Sequence, residues 1–307
     1  MLSLILLKKI LSLYIVLLIG FITVKLGLLK SEDNKTLSVF LVYVISPVNI
    51  LSAFQMDKTP EKLNGMLLSL IGAGIVCTMF IIIARLLCRP LRLTPEEEIS
   101  MSFPNVGNLI VPLVMSVFGS EWVVYSLGYI IVQTCYIWTY SKIRISRDKH
   151  VDIKKIILNP NILAIIVSFI LFIFDIKLPE IAADAVDSVS ASIGPLGMLM
   201  TGMILAGMDI KAAFMNGRVW LTALFRLILF PAIAVAVLRL SGLAAMNPNG
   251  TTILTITLMG ASSPAMACVM QLASFYGKDV DHACAINVLT TILCVITMPL
   301  MIGLFRM

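Results

Sequence analysis

The sequence is poor in charge. Only 13% of its 307 residues are Asp, Glu, Lys or Arg, while 59% are hydrophobic. Soluble domains carry about 25% charged residues, so a water-soluble globule is excluded. A mean hydropathy of +1.01 places the chain among polytopic, all-α membrane proteins. Histidine is nearly absent: His150 and His282 sit in or beside loops, and no metal constellation surrounds them. The six cysteines form no CxxC pair and read as small buried hydrophobes. There is no nucleophile–base–acid set, which argues against an enzyme. Neither a cofactor nor a metal is expected. The net charge of +6 raises nucleic acid as a partner, but the basic residues gather in loops on one side, so none is expected. Long loops are also missing, which leaves no room for a soluble signalling domain.

What the sequence does have is apolar length. Ten spans of about 18–25 residues, the length of a bilayer crossing, run roughly over 5–29, 37–55, 65–87, 96–118, 122–141, 157–175, 188–208, 219–241, 251–275 and 283–305. The first follows Lys8-Lys9 as a signal peptide would. It runs on to Leu29 with no small-residue cleavage pattern, so it reads as a transmembrane helix. Of the 23 Lys and Arg, fifteen flank the odd-numbered connections and seven the opposite side; only Arg226 lies deep in a span. The bias of basic residues toward the cytoplasm then puts both termini outside, in a multi-pass membrane protein.

Two spans have broken, polar middles. The fourth contains Ser102-Phe-Pro-Asn-Val-Gly-Asn-Leu-Ile-Val-Pro112, and the ninth contains Gly260-Ala-Ser-Ser-Pro-Ala265. Proline removes a helical hydrogen bond and clashes with the preceding turn. In hydrocarbon such a break survives only inside protein or beside a wet cavity. The breaks occupy corresponding places. Phe118-Gly119 and Tyr276-Gly277 close the two spans 158 residues apart, and the same offset carries Asn105 onto Ser263. The expected organisation is one membrane domain of two five-helix repeats, about 1–141 and 157–307. A basic linker of about 142–156 joins them. Five is odd, so the repeats insert in opposite senses, and the site lies near the midplane where the broken helices 4 and 9 meet.

These motifs resemble the auxin efflux carrier family, which includes plant PIN carriers and bacterial permeases for small dicarboxylates. Asn105-Val-Gly107 with Pro112 is similar to its fourth-span signature. Asn159-Pro160-Asn161 resembles its sixth-span opening, and Ser263-Pro264-Ala265 its ninth span. The likeness covers nearly the whole chain. Two departures, Asn108 for a common aromatic and Ile110 for a common glycine, lie inside the candidate site. The resemblance implies a two-part fold of the PIN-like, bile-acid-symporter kind, with a scaffold and a transport domain, and a homodimer carrying organic anions.

The substrate-binding candidates are Asn105, Gly107, Asn108, Pro112, Ser262, Ser263 and Pro264, with Asn49 and Arg226 as further members. The N–H groups at the start of a half-helix favour an anion, and the neutral side chains add hydrogen bonds that allow release. A charge inside a span is costly and usually functional, which singles out Arg226. The expected function is an elevator-type carrier of a small carboxylate, such as a dicarboxylate or an auxin-like acid. A sodium-coupled symporter is the alternative, weakened by the scarcity of midplane Asp and Glu. A channel or receptor stands further off, since no span shows a continuous polar stripe.

Overall fold

The computed structural model describes residues 2–55, 59–146, 154, 158 and 160–307. Side chains of residues 2–10, 35, 38, 42, 107, 108, 112, 116, 120, 138, 212, 213, 271, 274 and 275 lie outside the description. So does most of the basic linker, with Arg147, Lys149, His150 and Lys155, and so does Asn159. Among the described residues the secondary structure is helical apart from one isolated β-bridge.

The first half opens with α1 (Leu2–Lys25). A π-helical turn, Leu41–Ile45, joins α2 (Asn34–Phe40) to α3 (Ser46–Ala53). Then come α4 (Pro60–Cys88) and α5 (Pro95–Ser102), and a second π turn, Val106–Ile110, that leads into α6 (Val111–Phe118). Next is α7 (Val124–Tyr136), which passes through a π turn, Ile137–Ser141, into α8 (Lys142–Ser146). The second half holds α9 (Pro160–Ile173), α10 (Glu180–Ser190), α11 (Ile193–Gly207), α12 (Ile210–Met215) and α13 (Gly217–Leu224). A π turn, Phe225–Leu229, leads to α14 (Phe230–Leu240), followed by α15 (Gly250–Ala261), α16 (Cys268–Phe275) and α17 (Val280–Arg306). Four described stretches are long and apolar enough to cross a bilayer: Pro60–Cys88, Glu180–Gly207, Gly217–Leu240 and Val280–Arg306. Shorter apolar helices cover Leu11–Lys25, Tyr43–Ala53, Pro160–Ile173 and Gly250–Ala261. The chain is therefore a polytopic helical membrane protein.

Three of the four π turns stand just before a proline: Pro47, Pro112 and Pro231. Proline offers no N–H to the carbonyl a turn back, and a π turn shifts the register locally. The helix continues with a bulge, so Pro47 does not break its span. Connection ends are built from polar caps. Thr94 accepts from the Glu97 N–H at 3.3 Å while Glu97 accepts from the Thr94 N–H at 2.8 Å. Asp279 accepts from the His282 N–H at 2.9 Å.

One expectation changes. The spans 157–175 and 188–208 leave 176–187 as a connection, but Glu180–Ser190 is helical and leads into α11. Glu180 and Asp184 lie on its exposed side, so hydropathy alone hides a helix most of whose charges are turned outward. A polar seam at every third residue from Ser46 to Gln55 meets α9, α10 and the connection between them. Ser46 Oγ donates to Asn161 Oδ1 (2.6 Å), and Asn49 Oδ1 accepts from Ser190 Oγ (2.8 Å). Ser52 Oγ donates to Asp187 Oδ1 (2.5 Å), and Gln55 Oε1 accepts from the Leu178 N–H (2.8 Å). Four bonds thus tie the first half to the second along a single helix face. Beside this seam α1 lies against α11 at backbone distance. A Cβ on Gly20 would stand 2.1 Å from Leu199 O, and one on Gly202 would stand 1.9 Å from Leu17 O.

Candidate functional site at the crossing of two broken helices

Pro104 and Pro264 decide where α5 and α15 stop. The residue before a proline is pushed out of helical conformation, and Phe103 is extended at φ −113°, ψ 117°. The freed backbone groups find each other. The Asn105 N–H donates to Pro264 O at 2.8 Å, and the Met266 N–H donates to Phe103 O at 3.0 Å. These two bonds form an antiparallel bridge between Pro104 and Ala265. The two broken helices therefore cross, and each repairs part of the other's break.

Side chains complete the repair. Gln133 Nε2 on α7 donates to Pro104 O at 2.8 Å, and Asn287 Nδ2 on α17 donates to Ala265 O at 2.6 Å. The Ala265 N–H reaches Thr290 Oγ1 at 3.0 Å. A carbonyl only accepts, so each amide must present its NH2 there and turn its oxygen away. Gln133 Oε1 and Asn287 Oδ1 are buried and take no donor from the described residues.

Arg226 sits on the other side of the crossing, in the π turn between α13 and α14, with no measurable exposure. Its Nε donates to Ser263 O and its Nη1 to Met101 O, both at 3.0 Å; Nη2 donates to Ala261 O. The Phe80 ring lies 5.2 Å from the guanidinium carbon, within cation–π range. All three oxygens belong to the C-terminal ends of α5 and α15, which carry the negative pole of a helix. One cation thus serves both carbonyl ends. The Val106 N–H at the start of the first onward half-helix bonds back to Pro104 O at 3.0 Å, whereas the N-terminal end of the second is left uncompensated. Among the described residues no acceptor faces the Ala267 and Cys268 N–H groups at the start of α16.

The sequence candidates fall into three groups. Asn105 is at the crossing, half-buried, at the N-terminal cap of the Val106–Ile110 turn, and its amide makes no side-chain cap bond. Ser262, Ser263 and Pro264 form the facing break. Ser263 Oγ bonds back to Met259 O at 3.1 Å, whereas Ser262 Oγ is buried and has no partner among the described residues. Gly107, Asn108 and Pro112 lie on the backbone leading into α6, with side chains outside the described residues. Asn49 is elsewhere, buried in the seam between α3 and α10. Asn287 and Thr290 had not been singled out. Their signal is a short run of polar residues in the otherwise apolar last span.

At the loop end of α5 three consecutive acids are buried. Glu97 accepts from Arg218 Nε at 2.7 Å and lies 2.9 Å from His282 Nε2. Glu98 accepts from Arg144 Nε at 3.0 Å and from the Tyr140 hydroxyl. These pairs join the start of α5 to α8, α13 and α17, and so fix the orientation of the broken helix. Among the described residues no group of three metal-ligating side chains occurs.

A crossing of two interrupted helices inside a polytopic membrane protein is a carrier's architecture, and sequence comparison agrees. A family model described as Membrane transport protein matches residues 5–153 and 144–302. The chain belongs to this membrane transport protein family. The match upholds the likeness to the auxin efflux carriers drawn from Asn105, Pro112 and Ser263. Among curated proteins, an uncharacterized transporter of Methanocaldococcus jannaschii, MJ1031, is 24% identical over 291 residues. The alignment takes in 90% of this chain and 91% of that protein. The chain is thus similar over nearly its full length to a protein named as a transporter, and its crossing is the candidate substrate site of this transporter.

Proposed function

We propose that this transporter carries small organic anions, such as a dicarboxylate or an auxin-like acid, across the plasma membrane by an elevator movement. The observation that carries this reading is the charge distribution at the crossing. Arg226 satisfies the carbonyl ends of α5 and α15, so the N–H end of α16 is left for a negatively charged guest. Asn105, half-buried and making no side-chain cap bond, would add a neutral donor. Packing supports two bodies. The seam along α3 and the close pair α1–α11 would form the scaffold, with α9 and α10. The broken helices, with α4, α7, α13, α14 and α17, would form the moving part. Ten crossings in two inverted repeats, with both termini outside, complete the proposed arrangement.

The test is a thermal-shift screen of the purified protein against small mono- and dicarboxylates, since a ligand that binds only the folded state raises its melting temperature. At least one carboxylate is expected to raise Tm, and Asn105→Ala is expected to lose that rise while keeping the unliganded Tm. No stabilisation by any carboxylate, or full stabilisation of Asn105→Ala, defeats the reading.

A sodium-coupled cycle is the competing reading. The unpartnered oxygens of Gln133 and Asn287 favour it, since a small cation takes such acceptors. Uptake into proteoliposomes with and without a sodium gradient separates the two, and strict sodium dependence selects the second.

A further inference from the structure

We infer that Arg226 makes the empty carrier itself a mobile positive charge, so that the membrane potential sets which way the empty site faces. The inference rests on the elevator reading and goes beyond it. The guanidinium is always protonated in proteins. It is fully buried, and its described partners are three backbone oxygens and a ring, none of which bears a formal charge. Those partners are the ends of α5 and α15, so Arg226 must travel with the crossing.

The other buried charges near the broken helices do not offset it. Glu97 is matched by Arg218 and Glu98 by Arg144. Glu96 is in the first turn of α5 beside the loops, where little of the transmembrane field remains to be crossed. The moving body thus carries one net positive charge through the low-dielectric middle when empty. A bound monoanion would cancel it.

The sign of the bias follows. With the cell interior negative, a positive body is drawn inward, so the empty site waits on the cytoplasmic side. A charge crossing the whole field is redistributed about fifty-fold per 100 mV, which is the upper limit of the effect. Such a carrier loads its anion inside and releases it outside, with the potential driving the empty return.

The experiment needs no ligand. Wild-type protein is reconstituted in a planar bilayer, and transient currents are recorded during voltage steps without substrate. Labels on cysteines placed at Leu26 and Leu86, both exposed, report movement between the two bodies under the same steps. The expected result is a saturable charge displacement of up to about one elementary charge per protomer, coincident with the label movement. It should persist in Arg226→Lys and vanish in Arg226→Gln, whose amide can still donate to a carbonyl. Label movement without displaced charge in wild type overturns the inference and leaves the elevator reading standing, as does an equal displacement in Arg226→Gln. Absence of both signals in wild type removes the elevator reading and the inference together. The wild-type arm decides even if Arg226→Gln fails to fold.

Discussion

Arg226 shows how much a single side chain can hold. Three carbonyls from two helices end on it, and none has a second described donor of the same strength. Replacing it with methionine leaves those oxygens desolvated and unpaired. By analogy with breaking a buried charge pair, Arg226→Met is expected to lower stability by about 3–5 kcal/mol, read as a fall in Tm in detergent. Arg226→Lys should lose less, because an ammonium keeps the charge but cannot fork to three separate oxygens. A Tm unchanged in Arg226→Met contradicts this account. The sequence shows Arg226 as a costly charge inside a span, which is correct. Its partners are invisible there, because they are backbone groups exposed only where Pro104 and Pro264 stop two distant helices. Asn49 illustrates the opposite difficulty. An amide inside a span has the same appearance whether it faces a cavity or a neighbouring helix. Only the position of Ser190 decides between them.

Between elements, contact depends on where side chains are small. Gly202 and Gly20 let α1 and α11 meet backbone to backbone, the arrangement small residues permit in membranes. Gly202→Leu would drive a side chain into Leu17 O and is expected to cost at least about 1–3 kcal/mol or to block assembly. Gly74→Leu, on the same scale, should be nearly neutral, since nothing stands within 4 Å of its Cβ position. Thermal unfolding of the two variants side by side checks the contrast, and equal Tm values would refute it. The breaks were legible because proline has a fixed effect on the backbone. The π turns before Pro47, Pro112 and Pro231 were not, because their register depends on which neighbours accept the displaced carbonyls. Helix α10 was missed because its apolar side is one narrow stripe among acids, too short for a hydropathy window.

At the scale of the whole molecule, the basic residues define a side. Lys30, Arg85, Arg92, Arg144 and Arg218 flank connections on the face expected to be cytoplasmic. A cysteine at Met307, which is exposed, should react with an impermeant maleimide added outside intact cells. One at Lys30 should react only after permeabilisation. The reverse pattern would invert the proposed orientation. The polytopic helical class follows directly from composition. The pairing of the halves is subtler. Phe118-Gly119 and Tyr276-Gly277 suggested that the breaks correspond, but no residue pattern showed that one break completes the other.

That mutual completion has a consequence for synthesis. When Phe103 and Asn105 enter the bilayer, the chain that will satisfy them has not yet been made, because Pro264 and Met266 emerge roughly 160 residues later. At a ribosome speed of about 5–20 residues per second, the first break waits about 8–30 s without the backbone groups that close it. The nascent protein must spend that interval shielded by water at the insertion machinery or by a temporary neighbour, until the second half arrives to close the knot.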